Sequence, residues 1–205
     1  MTVRRGEAWG RTGPAPTGLV EVRSDAELHQ LVNDRRRAGE PIPPIGLLGG
    51  DLCRTLGGTG SPERLHGDSA FVATVDLGCA LLDGRVAWFA AQAIARRSWW
   101  RGSIVAAMVA EYVGEWDVAP RGHPGDGRFD IVEVDAAMSL GQRWKARGRL
   151  GNGTFLPHPS IATRTSANET WELPPGHHVW LDGVDAGECR NLVVRVEPDA
   201  YTVCV

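Results

Sequence analysis

Pro44-Ile45-Gly46-Leu47-Leu48-Gly49-Gly50-Asp51-Leu52-Cys53-Arg54-Thr55-Leu56-Gly57 reads as a short buried strand, a glycine turn and a short helix. Upstream, residues 19–22 are a β-favouring run that stops at Ser24-Asp25-Ala26-Glu27. That tetrapeptide is a capping box, in which Ser24 caps an orphan N–H and Glu27 reaches back. The helix that follows carries Leu28, Leu31, Val32 and Arg35 at the 3–4 spacing of a packed face, and Gly39 ends it. Pro41, Pro43 and Pro44 lead back into the strand. Strand, helix, strand at this length is the unit of a small parallel sheet, so residues 19–69 are expected to form an α/β unit. Residues 1–18, rich in Gly, Pro and Arg and without periodicity, are expected to be a flexible arm.

From residue 70 the texture is that of strands. Residues 70–82 and 86–95 flank Asp83-Gly84, a dipeptide suited to the positive backbone angles of a tight hairpin. Strands are also expected over 104–112, 114–119, 129–135, 160–165, 169–173, 177–181, 192–197 and 201–205, with a short basic helix over 142–150. Runs of strands after one α/β unit predict an α+β protein, with a β-sandwich-like body over residues 70–205.

Composition narrows the function. The chain has 205 residues, 42% hydrophobic and 23% charged, which suffices for a packed core. With 25 acidic and 22 basic residues the net charge is -3, so no general electrostatic footprint for nucleic acid exists. No apolar run approaches the roughly 18 residues of a membrane-spanning helix, and no secretory signal pattern follows the first arginines. Cys53, Cys79, Cys189 and Cys204 lack metal-ligand spacing and are expected to be reduced thiols in a cytoplasmic protein.

Collinear motifs along the chain resemble those of the diacylglycerol kinases and bacterial lipid kinases. The stretch 49–57 resembles that family's GTGNDLARTLG segment, and residues 24–32 line up with its GDGTLHEVV. Ala119-Pro120 and His123-Pro124-Gly125-Asp126-Gly127-Arg128-Phe129-Asp130 resemble its proline and DGLLDV pattern. Trp180-Leu181-Asp182-Gly183 resembles its (V/F)DGE turn, and residues 195–203 its closing strand pair. The resemblance implies a reduced nucleotide-binding remnant, residues 19–69, packed on a lipid-kinase second domain. It also implies ATP and Mg²⁺ as cofactors if the protein is active, and none otherwise. Under it, Asp25, Gly49, Gly50, Asp51, Arg54 and Thr55 would contact nucleotide, because glycines let backbone N–H groups approach a phosphate at a helix start. Asp126 and Asp130 would hold the metal.

The departures are as informative. GGDGT stands here as Arg23-Ser24-Asp25-Ala26-Glu27, the family's Asn is Gly50, and the glutamate expected to act as base is Val184. Asp182, Asp185 and Glu188 are the nearby carboxylates left for that role. Nothing before Leu19 resembles the family's opening strand; a homodimer or another protein partner could complete the site between chains. Two readings follow. One is a non-catalytic lipid-binding or regulatory protein; the other is an ATP-dependent lipid kinase acting on a diacylglycerol-like hydroxyl. Read from the residues alone, Asp51 is equally a helix cap, and Asp126-Gly127 equally a turn. Arg97, Trp99, Trp100 and Arg101 read either as a contact with a lipid or membrane surface, placing the protein at the inner membrane face, or as a packed hairpin end. Trp144 is expected to dock its helix inward.

Overall fold

The computed structural model describes residues 9–205. In chain order the first elements are β1 (Gly10–Thr12), β2 (Val20–Val22), α1 (Asp25–Ala38), β3 (Ile45–Leu47), α2 (Asp51–Thr55) and α3 (Pro62–Leu65). The long strand β4 (Phe71–Leu82) opens the β-rich body. It is followed by β5 (Arg85–Phe89), β6 (Gln92–Arg96), β7 (Ile104–Met108), β8 (Tyr112–Val113), β9 (Trp116–Asp117) and β10 (Phe129–Val134). After α4 (Leu140–Leu150) come β11 (Ile161–Ser166), β12 (Asn168–Glu172), β13 (His178–Leu181), β14 (Val184–Glu188) and β15 (Asn191–Cys204).

The strands form two large sheets and a hairpin. The first sheet runs β1-β4-β15-β3-β2, with β5 added to β4 and β12 to β15. The second runs β11-β10-β7-β6-β13-β14, and β8 pairs only with β9. The class is α+β. In the first sheet β3 is parallel to β2 and to β15, through Val20↔Ile45 and Val203↔Ile45. The sheet therefore runs on through the boundary expected near residue 69. Gly10–Thr12, inside the segment expected as an arm, is an edge strand on β4. The part of that segment before residue 9 lies outside the described residues.

The strand expected over 114–119 shrinks to β9 in its hairpin with β8, and three others change for a hydrogen-bonding reason. Residues 86–95 are not one strand: β5 belongs to the first sheet and β6 to the second, with the break at Ala90-Ala91. Residues 104–112 stop at Met108, because Val109 N and Ala110 N both donate to Ala91 O. Residues 192–197 and 201–205 join into the single strand β15, irregular between Glu197 and Tyr201. Pro198, which has no N–H to give, and Asp199, at φ 51, fill the irregularity.

Apolar side chains of both sheets share one core. Ala80, Leu82 and Leu192 face Ala93, Ile131 and Val179 across it, and the Phe89 and Phe129 rings stack with centroids 5.4 Å apart. Phe89 lies over Gly78, where a Cβ would collide with the ring. A second core holds α1 and α2 on the parallel end of the first sheet, through Leu28, Val32, Leu52 and Val203. A third, built on Ile94, Ile104, Ala106 and Val132, sits on the second sheet's other face.

Candidate functional site

The C-terminal ends of parallel β2 and β3 lie side by side, the place where open α/β sheets take ligands. Four backbone N–H groups there are held by the chain's own side chains. Arg23 N donates to Glu27 Oε2 at 2.8 Å and Glu27 N to Ser24 Oγ at 3.2 Å. Asp51 N and Leu52 N donate to the Asp25 carboxylate at 2.6 and 3.3 Å. Gly50, at φ 93, packs so closely on that carboxylate that a Cβ would stand 2.5 Å from it. Gly49 lies against the Arg23 carbonyl in the same way. The glycine turn thus receives Asp25. Asp51 does not cap its own helix, whose N-cap is Gly50.

Asp51, Arg54 and Thr55 bind residues 111–114. Asp51 accepts from Gly114 N at 2.9 Å and from Gln92 Nε2 at 3.2 Å. Arg54 donates to Gly114 O and stacks on Tyr112, 3.9 Å from the ring centroid. Thr55 Oγ1 accepts from Glu111 N and donates to Asp51 O. Of the six residues expected at a nucleotide, every polar side chain is engaged inside the protein.

The three carboxylates expected to supply a base are not brought together. Asp182 sits in the tight turn between β13 and β14, at φ 52 with Gly183 at φ 81, and is 3% exposed. Its carboxylate accepts from Ala90 N, Ala91 N and Gln92 N at 2.8, 2.7 and 3.0 Å. These are the N–H groups freed where the chain changes sheets. Asp185 instead meets His178 at 3.0 Å on the exposed edge, and Glu188 accepts from Gly176 N. Asn33 and His29 were not legible as site residues. Asn33 exchanges two hydrogen bonds with the Trp88 backbone, and His29 Nδ1 lies 3.3 Å from Asp182. Their i, i+4 spacing beside Leu28 and Val32 is the only trace of this in the sequence.

Asp126 lies near both the buried Asp76, which accepts from Gly127 N and Asp199 N, and Asp130 of β10. Asp126 accepts from Arg128 N, closing its own turn. Among the described residues no three His, Cys, Asp or Glu side chains are grouped to hold a metal. Burial pushes Asp76 and Asp130 up to about 6, with Asp126 adding to both, and burial does the same to Asp25. A carboxyl whose proton affinity rises on folding stabilises the fold fully below its unfolded value and loses that contribution as pH climbs through the folded one. The midpoint in urea is therefore expected to rise as pH falls from about 7.5 to about 5. Asp130→Asn removes one titrating group and should flatten that rise; an unchanged slope would refute it.

The aromatic loop after β6 closes over an apolar cavity rather than standing free. Ile94, Ile104, Ala106 and Val132 of the second sheet form the floor of a cavity of about 200 Å³. Trp99, Trp116, Ala146, Leu150 and Phe155 complete it from above. Trp99 packs edge-on to Trp116 at 5.4 Å and lies under Arg96. Trp100 remains 37% exposed, with Arg97 and Arg101 exposed beside it. The buried Arg143 donates to the carbonyls of Met138, Asp135, Trp99 and Gly102, so helix and loop form one roof. Trp144 does not dock inward: Arg143 and Ala146 occupy the buried side, and Trp144, one position round the helix, is 70% exposed.

The chain superposes on solved structures over 90% of its length. A protein provisionally assigned as a diacylglycerol kinase from Bacillus anthracis str. Sterne matches with TM-score 0.60 and 16% identity over 76% of its own chain. A second structure so assigned from the same organism gives 0.63 and 14% over 77%. A third, described as a diacylglycerol kinase from that organism, gives 0.54 and 14% over 75%. The fold is that of the diacylglycerol kinases. No family model matches the chain, and no curated protein matches it in sequence. On this diacylglycerol-kinase fold, two of the regions the motifs pointed to are a glycine turn that receives Asp25 and a turn at Asp182 that holds backbone. No helix among the described residues is long and apolar enough to cross a membrane.

Proposed function

We propose that the protein is a non-catalytic relative of the lipid kinases that binds a lipid acyl chain in the cavity beneath α4. What supports the first half is the occupancy of the helix starts beside the glycine turn: the N–H groups of Arg23, Glu27, Asp51 and Leu52 all have intramolecular acceptors. A nucleoside triphosphate would have to displace the Asp25 and Glu27 carboxylates and then lie against them, like charge on like charge. The residues present do not fit ATP with its magnesium, and no phosphoryl-transfer step follows from them. Val184, where a base would stand, agrees with this.

The second half rests on the cavity's lining, which is apolar apart from Arg143 and Arg147. Arg143 is occupied by carbonyls, and Arg147 lies 5.5 and 5.4 Å from the Trp100 and Trp116 rings. A cavity of about 150 Å³ with such walls stays dry and takes up an apolar guest. Calorimetry with Mg-ATP is expected to show no binding, whereas a fluorescent fatty acid should bind saturably and be excluded by Ala146→Phe. Saturable Mg-ATP binding would favour the kinase, and uptake unchanged in Ala146→Phe would remove the cavity from the reading.

A further inference from the structure

We propose that α4 docks the protein on an anionic lipid bilayer, with Leu140 and Trp144 entering the interface and Lys145, Arg147 and Arg149 meeting lipid phosphates. The helix is covered on one side only. Arg143 and Ala146 are buried, while Leu140 and Trp144, four residues apart and so on one face, are 51% and 70% exposed. Large apolar side chains at that exposure, grouped rather than scattered, mark a contact surface. Trp100 extends the patch from the neighbouring loop, 37% exposed and 5.5 Å from the Arg147 guanidinium.

Charge says which partner fits. The helix, LGQRWKARGRL, has four cations and no Asp or Glu. Arg143 is occupied by backbone carbonyls, which leaves Lys145, Arg147 and Arg149 at exposed positions, with Arg101 beside them. This local excess stands against a net charge of -3 for the chain. Tryptophan at headgroup depth with basic residues on phosphate is the pattern of an interfacial helix. The helix is also anchored to the body, by the Ser139–Gln142 capping box at its start and by Arg143 along its buried side. Its inner side roofs the apolar cavity, so docking would bring that cavity to the bilayer surface. That last consequence rests on the lipid-binding reading; the docking itself does not.

Flotation of the full chain with phosphatidylcholine vesicles, with and without phosphatidylglycerol, tests the proposal. Association is expected with the anionic vesicles, weaker with the neutral ones, and falling with salt. Leu140→Ser with Trp144→Ser should lower it at least tenfold, and Lys145→Gln with Arg149→Gln by roughly fivefold per cation. All four side chains are exposed, and melting curves of the variants check that they fold. Failure to float with anionic vesicles, or flotation indifferent to these variants, would overturn the proposal. So would a solution dimer that Trp144→Ser dissolves, since the patch would then belong to a second copy. Fatty-acid uptake separates the two readings: Leu140→Ser with Trp144→Ser should lower docking as above and keep uptake, and Ala146→Phe should keep docking and lose uptake.

Discussion

Asp182→Ala is expected to cost at least about 3–5 kcal/mol, because each buried donor left without an acceptor costs about 1–3 kcal/mol and this carboxylate serves three. Against a typical domain stability of about 5–15 kcal/mol, that is a large share of the total and should be plain in a urea melt. Asp182→Asn is the sharper comparison. The amide keeps the shape but turns an acceptor into a donor facing N–H groups, so a loss of about 1–3 kcal/mol is expected in urea melts. A group present chiefly as a base would show the opposite result, with Asp182→Asn leaving the midpoint where it was. An unchanged midpoint would therefore return Asp182 to the list of catalytic candidates.

Phe89→Ala should cost about 3–5 kcal/mol, the range for emptying a buried phenylalanine site. The ring is fully buried at the end of β5, stacked on Phe129 of the opposite sheet and laid over Gly78 of β4. Gly78 is small because the ring occupies the space of its Cβ. Gly78→Ala alone should therefore destabilise by overpacking, roughly 1–3 kcal/mol. In the Phe89→Ala background the same methyl enters space the ring has left. The double variant should then be less damaged than the sum of the two, by a coupling of at least about 0.5 kcal/mol. Strict additivity would mean the two positions do not share that space.

Both sites lie at the same corner. Phe89 is followed by Ala90-Ala91, where the chain leaves the first sheet for the second, and Asp182 binds the N–H groups exposed by that change. His29 reaches Asp182 from α1, and Asn33 reaches the Trp88 backbone one residue before Phe89. The aspartate that resembles part of a catalytic motif thus joins α1, the first sheet and the second. The glycine turn is similar: its sequence has the form of a phosphate loop, but Asp25 occupies the N–H groups that give such a loop its affinity.

Local chemistry was legible wherever the determinants are neighbours in sequence. Ser24 caps α1 and Gly39 closes it at φ 69; Asp83-Gly84 makes its hairpin, and the α+β class follows from the order of periods. In these cases one residue's backbone angle or cap is set within a few positions of itself. Even there Glu27 bonds Arg23 N rather than the cap residue's own N–H. The parallel contact of β15 with β3, the sheet change at Ala90-Ala91, the closure of the turn by Asp25 and the outward face of Trp144 were decided by tertiary structure alone. Each depends on which distant group reaches an unpaired N–H first, or which side of a helix finds a sheet to cover. A carboxylate beside a glycine turn reads the same in sequence whether it awaits a phosphate or has taken the phosphate's place. Only the distance from Asp25 to the Asp51 amide, 2.6 Å, tells the two apart.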